Sequence, residues 1–283
     1  MAEPAHPADR ALTRLRSGRR QGAAAPFTGN LSIDELVLVE AAGLDPVALV
    51  VGSCVVRVTP GSTALLPTGE IHELTAAMER ARARALERMT RDAARASAHG
   101  VVAVRLHLDF ERWGEGLCEL TAVGTAVTAR DQGLRVRGRP FTCGLSGQDV
   151  HALLRAGYRP LALVMGASVW RVAPMSPGRW LRVVGRNAEL AGPTEALAAA
   201  RHQAMSRMTR QAARVRAAGV VGVTVGQQSH AWGSTAMEFI ATGTAVAGTD
   251  GRRRRLEPRL AVALDARESH PRSVSVSLRP HAR

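Results

Sequence analysis

The sequence predicts an α+β protein built from two tandem β-α-β-β units, each preceded by a short helix. Three observations support this fold class. The chain repeats its own residue pattern, each copy contains one long stretch with helical periodicity, and segments rich in Val, Leu and Thr flank that stretch. One long helix packed on one face of a small antiparallel-type sheet gives a two-layer unit.

The repeat is visible in short motifs that recur at a fixed spacing. Phe27–Thr28 returns as Phe141–Thr142 at an offset of 114, and Arg88–Arg91 returns as Arg207–Arg210 at an offset of 119. Features in both copies belong to the shared fold, whereas a feature in one copy is incidental or acquired. The predicted organisation is a disordered leader, repeat 1, a linker, repeat 2 and an arginine-rich tail: residues 1–26, 27–131, 132–140, 141–250 and 251–283.

Each repeat opens with a short predicted helix. Ser32 and Glu35 have the spacing of a capping box, and Ser146 with Asp149 repeats that spacing. Gly43 and its counterpart in repeat 2 stand where a C-terminal cap would end the helix, and a proline three residues later prevents its continuation.

Strands are predicted before and after the long helix. Residues 47–58 and 161–172 are too rich in β-branched side chains to favour a helix. A hairpin closes repeat 1, with strands at 101–109 and 117–129, and repeat 2 repeats it. The Pro-, Gly- and Ser-rich segments between the first strand and the long helix are predicted loops.

The long helix of repeat 1 is predicted over residues 74–98, with Gly100 and, in repeat 2, Gly219 ending the helices. Its apolar residues recur at steps of three and four: Met78, Ala81, Ala85, Met89, Ala93 and Ala96. One helix covers one sheet face, so the other face has no cover within its own repeat. We therefore expect another sheet or subunit to cover it, and we expect a homo-oligomer.

The charge and cysteine content indicate the class of protein. The formal net charge is +14, all basic residues are Arg, and the excess is concentrated at the two ends of the chain. These ends are candidates for contact with an anionic partner, or they are solvated disordered segments. Three cysteines, none duplicated, predict a reduced cytoplasmic protein. No secretory signal or run of 18 apolar residues occurs, so no membrane partner is predicted.

Several enzyme classes are excluded by the absence of their motifs. Without Lys there is neither a phosphate-binding loop ending in Lys-Ser or Lys-Thr nor a Schiff-base lysine. The sequence also contains no G-x-S-x-G, H-E-x-x-H or C-x-x-C motif. We predict that the protein is not an enzyme.

A metal site is one interpretation of the hairpin in repeat 1. His107 and Asp109 share one face of a strand, and Cys118 and Glu119 lie on the strand across the hairpin. Nitrogen, oxygen and thiolate ligands could hold zinc or a softer metal. The alternative is a half-exposed polar sheet face, because repeat 2 keeps only the glutamate. The cofactor is left open, with a divalent metal as the candidate.

Two duplicated charged pairs within strands are candidate interface residues: Arg57 with Arg171, and Glu119 with Glu238. Ion pairs across the sheet or between subunits are expected for them, because Arg suits interface carboxylates. The arginines duplicated along the long helices contact an anion or another subunit, or they form a solvated face.

The duplicated loop aromatics Trp113 and Trp232, each followed by glycine, are also interface candidates. Such a tryptophan anchors a partner or caps the end of the core. No aromatic-rich strand occurs, so base stacking on a nucleic acid is not favoured.

These motifs resemble the Putative heavy-metal-binding domain family, also called YbjQ-like. The resemblance rests on Arg-Met followed by a Gly-Val-Val strand, a hairpin and Gly-Thr-Ala-Val, over residues 88–127 and again over 207–246. It implies a dodecin-like β-α-β-β unit that assembles into rings, pentameric in single-domain members, and the family name implies metal binding.

We therefore expect a non-enzymatic, ring-forming binding or scaffold protein whose main partner is itself, with an unknown ligand. The ring size is open: ten units in five chains, six in three, or another number. The alternative is a basic protein that binds nucleic acid or another acidic surface through its arginine-rich ends and helix faces. Salt separates the two, because phosphate contacts weaken steeply as salt rises.

Overall fold

The computed structural model describes residues 28–57, 68–110, 117–135, 139–172, 190–229 and 236–249. It confirms the α+β class and the two β-α-β-β units with their leading helices. Repeat 1 contains α1 (Ile33–Ala41), β1 (Leu44–Arg57), β2 (Gly69–Glu70), α2 (His72–Arg95), β3 (Gly100–Phe110) and β4 (Leu117–Ala129). A 3-10 turn at Gln132–Leu134 follows. Repeat 2 contains β5 (Phe141–Thr142), α3 (Gly147–Arg155), β6 (Tyr158–Arg171), α4 (Ala191–Arg214), β7 (Gly219–Ser229) and β8 (Ala236–Gly248).

The short helices begin as the sequence predicts. The Ser32 side chain accepts a hydrogen bond from the Glu35 backbone, and the Glu35 carboxylate accepts one from the Ser32 backbone, which completes the capping box. In repeat 2, Ser146 accepts from the Asp149 backbone. Gly43 lies in the left-handed region with φ 82°, as a C-terminal cap requires.

The ends of the long helices differ from the prediction. Ser97 and Arg216, rather than the predicted glycines, take the left-handed conformation that ends α2 and α4. Gly100 instead begins β3, and a Cβ built on it would lie 2.2 Å from the ring of Phe141. The glycine is therefore required for close packing between the repeats and not for ending the helix.

The two sheets exchange their shortest strands. Sheet 1 has the order β1-β4-β3-β5, and sheet 2 has the order β2-β6-β8-β7. The strand that opens repeat 2 thus pairs with β3 of repeat 1, while Gly69–Glu70 of repeat 1 pairs with β6 of repeat 2. Sequence analysis assigned Gly69 to a loop. Strand pairs this far apart leave no local signal in the sequence.

The long helices occupy different environments. Each packs on its own sheet, where Gly52 and Gly166 allow close approach: a Cβ on either would lie within 2.2 Å of a helix carbonyl oxygen. Helix α2 also contacts β6 of repeat 2. We call the sheet face away from a repeat's own helix its outer face. Repeat 1 covers β6 and Glu238 on the outer face of sheet 2, whereas that face is exposed along β7. The outer face of sheet 1 exposes three apolar side chains of β1: Leu49, Val51 and Val55.

Candidate functional site: the contact between the repeats

A buried ion pair lies at the centre of the contact between the repeats. Arg82 on α2 donates from Nη1 to Oε1 of Glu238 on β8 over 2.6 Å. The side chains are 2% and 0% exposed. Removing one charge of such a pair leaves the other buried and unpaired in a medium of low polarity, which is unfavourable. The pair therefore favours the one arrangement of the repeats in which both charges meet.

A second buried carboxylate, Glu70, lies at the exchanged strand β2. It accepts hydrogen bonds from Arg207 on α4 and from the Ser168 hydroxyl. Burial alone would raise the pKa of Glu70, but the hydrogen bond and positive charge of Arg207 hold that pKa below its ordinary value. Arg207 also donates to the Ala167 carbonyl over 2.8 Å. Glu70 is therefore ionised at neutral pH and ties repeat 1 to the long helix of repeat 2.

Backbone contacts continue along the same surface. The Val169 N–H of β6 donates to the Thr75 hydroxyl over 2.9 Å, and the Ile71 N–H donates to the Val169 carbonyl over 2.8 Å. Repeat 1 thus satisfies the outward-facing groups of an edge strand of repeat 2.

Two duplicated threonines hold the segments that lead into the short helices. Thr125 accepts from the Asn30 backbone over 3.0 Å and donates to its side-chain oxygen over 2.6 Å. Thr244 accepts from the Gly144 backbone over 3.1 Å. In repeat 2 the same leading segment pairs with β3, where Val104 donates to the Cys143 carbonyl over 2.9 Å. The leading segment is therefore a connector between one repeat and the other.

A cleft of about 550 Å³ lies beside this contact. Strand β3 of repeat 1 forms one side, β7 and β8 of repeat 2 form the other, and His107 is among the lining residues.

The structure does not bring the four metal-ligand candidates together. Asp109 lies opposite Glu119 and His107 opposite Thr121 in the β3–β4 ladder, which puts these side chains on the outer face of sheet 1. Cys118 is next to Glu119 in sequence and points to the other face, where it is buried against the α2 core. Burial raises the pKa of the Cys118 thiol to about 12, so the metal-binding thiolate is disfavoured.

The four charged interface candidates differ between the repeats. Glu238 is buried on Arg82, and Arg171 is buried at the end of β6. Their counterparts in repeat 1 are more open: Arg57 is exposed, and Glu119 is half-buried with a long contact of 3.5 Å to the Thr121 hydroxyl. The interface role of Arg57 and Glu119 remains a prediction. Trp113 and Trp232 lie outside the described residues.

Arg82 is the contact residue that sequence analysis missed. It lies four residues after Met78 and seven before Met89, within the apolar stripe, and it returns at the 119 offset as Arg201. A duplicated arginine inside an apolar stripe was an available signal for a buried ion pair. Two of the duplicated helix arginines, Arg91 and Arg95, form exposed pairs with Glu87 and Asp92 instead.

A family model described as Putative heavy-metal-binding (YbjQ) matches residues 33–130 and 182–249. The chain belongs to this family. The matched segments contain the long helix and closing hairpin of both repeats. The family's name implies a metal, but the donor set does not fit one: within the part of the chain that the structure describes, no group of three or more His, Cys, Asp or Glu could hold a metal ion.

A curated relative covers both repeats of this family member. It is a protein of Mycobacterium tuberculosis (strain ATCC 25618 / H37Rv) named an encapsulin nanocompartment protein. The two are 39% identical over 258 residues, which is 90% of this chain and 98% of the relative. Among the described residues, no helix is long and apolar enough to span a membrane.

Proposed function

We propose that the protein is a structural subunit that assembles with copies of itself into a closed multi-chain compartment or ring. The observation that carries this proposal is the exposed outer face of sheet 1. Leu49, Val51 and Val55 are between 37% and 50% exposed along one strand. Full burial of one such side chain contributes roughly 1.5–3 kcal/mol, so a surface of three favours a permanent partner.

The similarity to the relative supports the same proposal. That protein's name places it in a nanocompartment, and the alignment spans nearly all of both chains. A subunit role also agrees with the chemistry of the described cysteines: Cys54, Cys118 and Cys143 are buried, and the pKa values of the last two thiols are raised by burial. The side chains of Ser146 and Asp149 are engaged in a helix cap. These observations support a subunit that is not an enzyme.

The test is a mass measurement with a paired substitution. Native mass spectrometry of protein purified without added metal is expected to give a multiple of the 30.0 kDa chain mass, and it reports any bound ligand as extra mass. Val51→Lys should lower the assembled fraction, because a lysine on an exposed strand blocks sheet association. Val215→Lys is the control, since Val215 has the same exposure, 41%, just beyond the end of α4. A monomeric wild-type chain would refute the proposal.

Binding of an anionic partner is a second candidate, favoured by one difference between the helices. Arg91 and Arg95 have acidic neighbours at Glu87 and Asp92, whereas repeat 2 has Ser206 and Gln211 at those positions. Its exposed arginines therefore lack these local counter-charges. The logarithm of the binding constant for a DNA fragment should fall about linearly with the logarithm of the salt concentration. Arg210→Gln should lower that affinity more than Arg91→Gln, and equal effects would count against this function.

A further inference from the structure

The two repeats contact each other through different surfaces. Repeat 1 uses its tail surface, which we define as β2, β3 and the side of α2 that carries Thr75 and Arg82. Repeat 2 uses its head surface, which we define as β5, β6 and Glu238 on β8. A contact of this head-to-tail kind leaves one tail and one head unused, and it can recur between further copies.

Exposure identifies the unused surfaces. On the tail side, Val104 of repeat 1 is 4% exposed, and its counterpart Val223 on β7 is 41% exposed. On the head side, Val169 of repeat 2 is fully buried, and its counterpart Val55 on β1 is 50% exposed. Positions that the internal contact buries are thus exposed on the two surfaces that it leaves unused, the tail of repeat 2 and the head of repeat 1.

The polar groups of the internal contact are duplicated as well. Arg82 corresponds to Arg201, which is exposed on α4, and Glu238 corresponds to Glu119 on the outer face of sheet 1. Thr75 corresponds to Thr194, which is exposed near the start of α4. Val55 and Val169 hold the same place in their ladders, opposite Glu119 and Glu238.

We infer that a second copy of this chain binds the tail of repeat 2 with the head of its own repeat 1, in the register of the internal contact. This rests on the proposed self-assembly and names its geometry. Arg201 of one chain pairs with Glu119 of the next, and Thr194 accepts from the Val55 N–H of the next. All contacts between repeats are then of one kind, and a closed ring holds an even number of repeats because each chain supplies two.

Charge reversal tests this register. Arg201→Glu and Glu119→Arg should each raise the concentration for half-assembly at least about tenfold, because each places like charges together at every junction. An equimolar mixture of the two variants should assemble again into species with an even number of chains, whereas a ring with an odd number would keep one like-charged junction. Every junction in an alternating ring then has either a wild-type pair or a reversed pair. Arg210→Glu, an exposed change on the same helix, is the control and should assemble like the wild type.

Disulfide trapping gives a second measurement that does not depend on charge. Thr194→Cys with Val55→Cys in one chain should give a ladder of covalent oligomers under mild oxidation, and either substitution alone should not. A monomeric wild type would refute self-assembly itself. The head-to-tail register would be overturned if the wild type assembles and both charge variants assemble equally well. It would also be overturned if neither the mixture nor the disulfide pair behaves as described. Either result would leave self-assembly standing.

Discussion

The two sheets share one register but not one environment. Strands β1 and β6 each have a bulge near their start, and β3 and β7 each have a bulge at equivalent positions. Glu238 is nevertheless buried on an arginine, whereas Glu119 at the same place in sheet 1 is half-buried. The difference teaches that a neighbouring repeat, rather than the repeat's own sequence, determines which outer face is buried.

The same difference in environment applies to residues on the tail surface. Glu70 and Thr75 on the tail of repeat 1 have partners within the chain. Thr194, at the position of Thr75 in repeat 2, is exposed. A threonine that both repeats retain, bonded across the internal contact in one repeat and exposed in the other, is what a repeated head-to-tail contact requires.

The largest expected effect separates the two equivalent helix arginines. Arg82→Ala should lower the free energy of unfolding by about 3–5 kcal/mol, because it leaves Glu238 buried without its cation. Arg201→Ala should lower it by less than about 1 kcal/mol in the isolated chain, because Arg201 is exposed. Urea denaturation at concentrations where single chains predominate measures both.

A double variant controls for lost packing in that experiment. Arg82→Met with Glu238→Leu should recover most of the stability, since an apolar pair of similar volume can replace a buried ion pair. Equal, small losses for Arg82→Ala and Arg201→Ala would show that the internal ion pair does not distinguish the repeats.

The next effect probes what the repeats share. Gly52→Val and Gly166→Val should each destabilise by about 1–3 kcal/mol or more, because a Cβ there would lie 2.2 Å from the Ala85 oxygen and 2.1 Å from the Ala204 oxygen. Gly226→Val is the matched control on β7, since a Cβ there meets nothing within 4 Å. Thermal unfolding compares the three. Tolerance of one variant but not the other would mean that the helices pack differently on their sheets.

Local signals in the sequence were sufficient for most of the fold. The cap at Ser32 and the glycine at Gly43 act through neighbouring residues, and the apolar stripe of the long helix acts within a few turns. The strand predicted at 117–129 is observed as Leu117–Ala129. Both copies carry these signals, and the corresponding elements are present in both repeats.

The contact between the repeats could not be read in the same way. Pairing of β2 with β6 joins residues about a hundred positions apart, and no local pattern encodes it. Two features of the site could nevertheless be read from the sequence. Strand alternation alone places Cys118 and Glu119 on opposite faces, and the position of Arg82 in the apolar stripe indicates burial.

A buried thiol gives a smaller effect that depends on pH. Burial raises the pKa of Cys118 to about 12 from an ordinary 9.0, and repeat 2 has Met237 at this position. The unfolded chain releases the proton first, so stability from the neutral thiol is complete below pH 9 and is lost as pH rises from 9 to about 12. The loss is at most about 1.4 kcal/mol per pH unit.

Cys118→Ala should therefore make the fall in unfolding free energy between pH 9 and 10 shallower than in the wild type. The comparison of slopes removes the effect of the smaller side chain and of other groups that titrate at high pH, including Cys143. Parallel curves for the two proteins would mean that Cys118 does not titrate differently in the folded and unfolded chains.

The smallest effect tests the exposed helix faces. Arg91 pairs with Glu87 one turn earlier on α2 over 3.2 Å, and both side chains are more than half exposed. Arg91→Ala should cost about 0.3–0.5 kcal/mol, the usual value of an exposed pair of this spacing. Arg210→Ala should lower the free energy of unfolding by less, because repeat 2 has Ser206 at the position of Glu87. Ser206→Glu should restore the pair and stabilise α4 by a similar amount in low salt. That gain should be lost in 1 M salt, where screening acts within about 3 Å. A gain that survives high salt would indicate packing by the longer side chain rather than an ion pair.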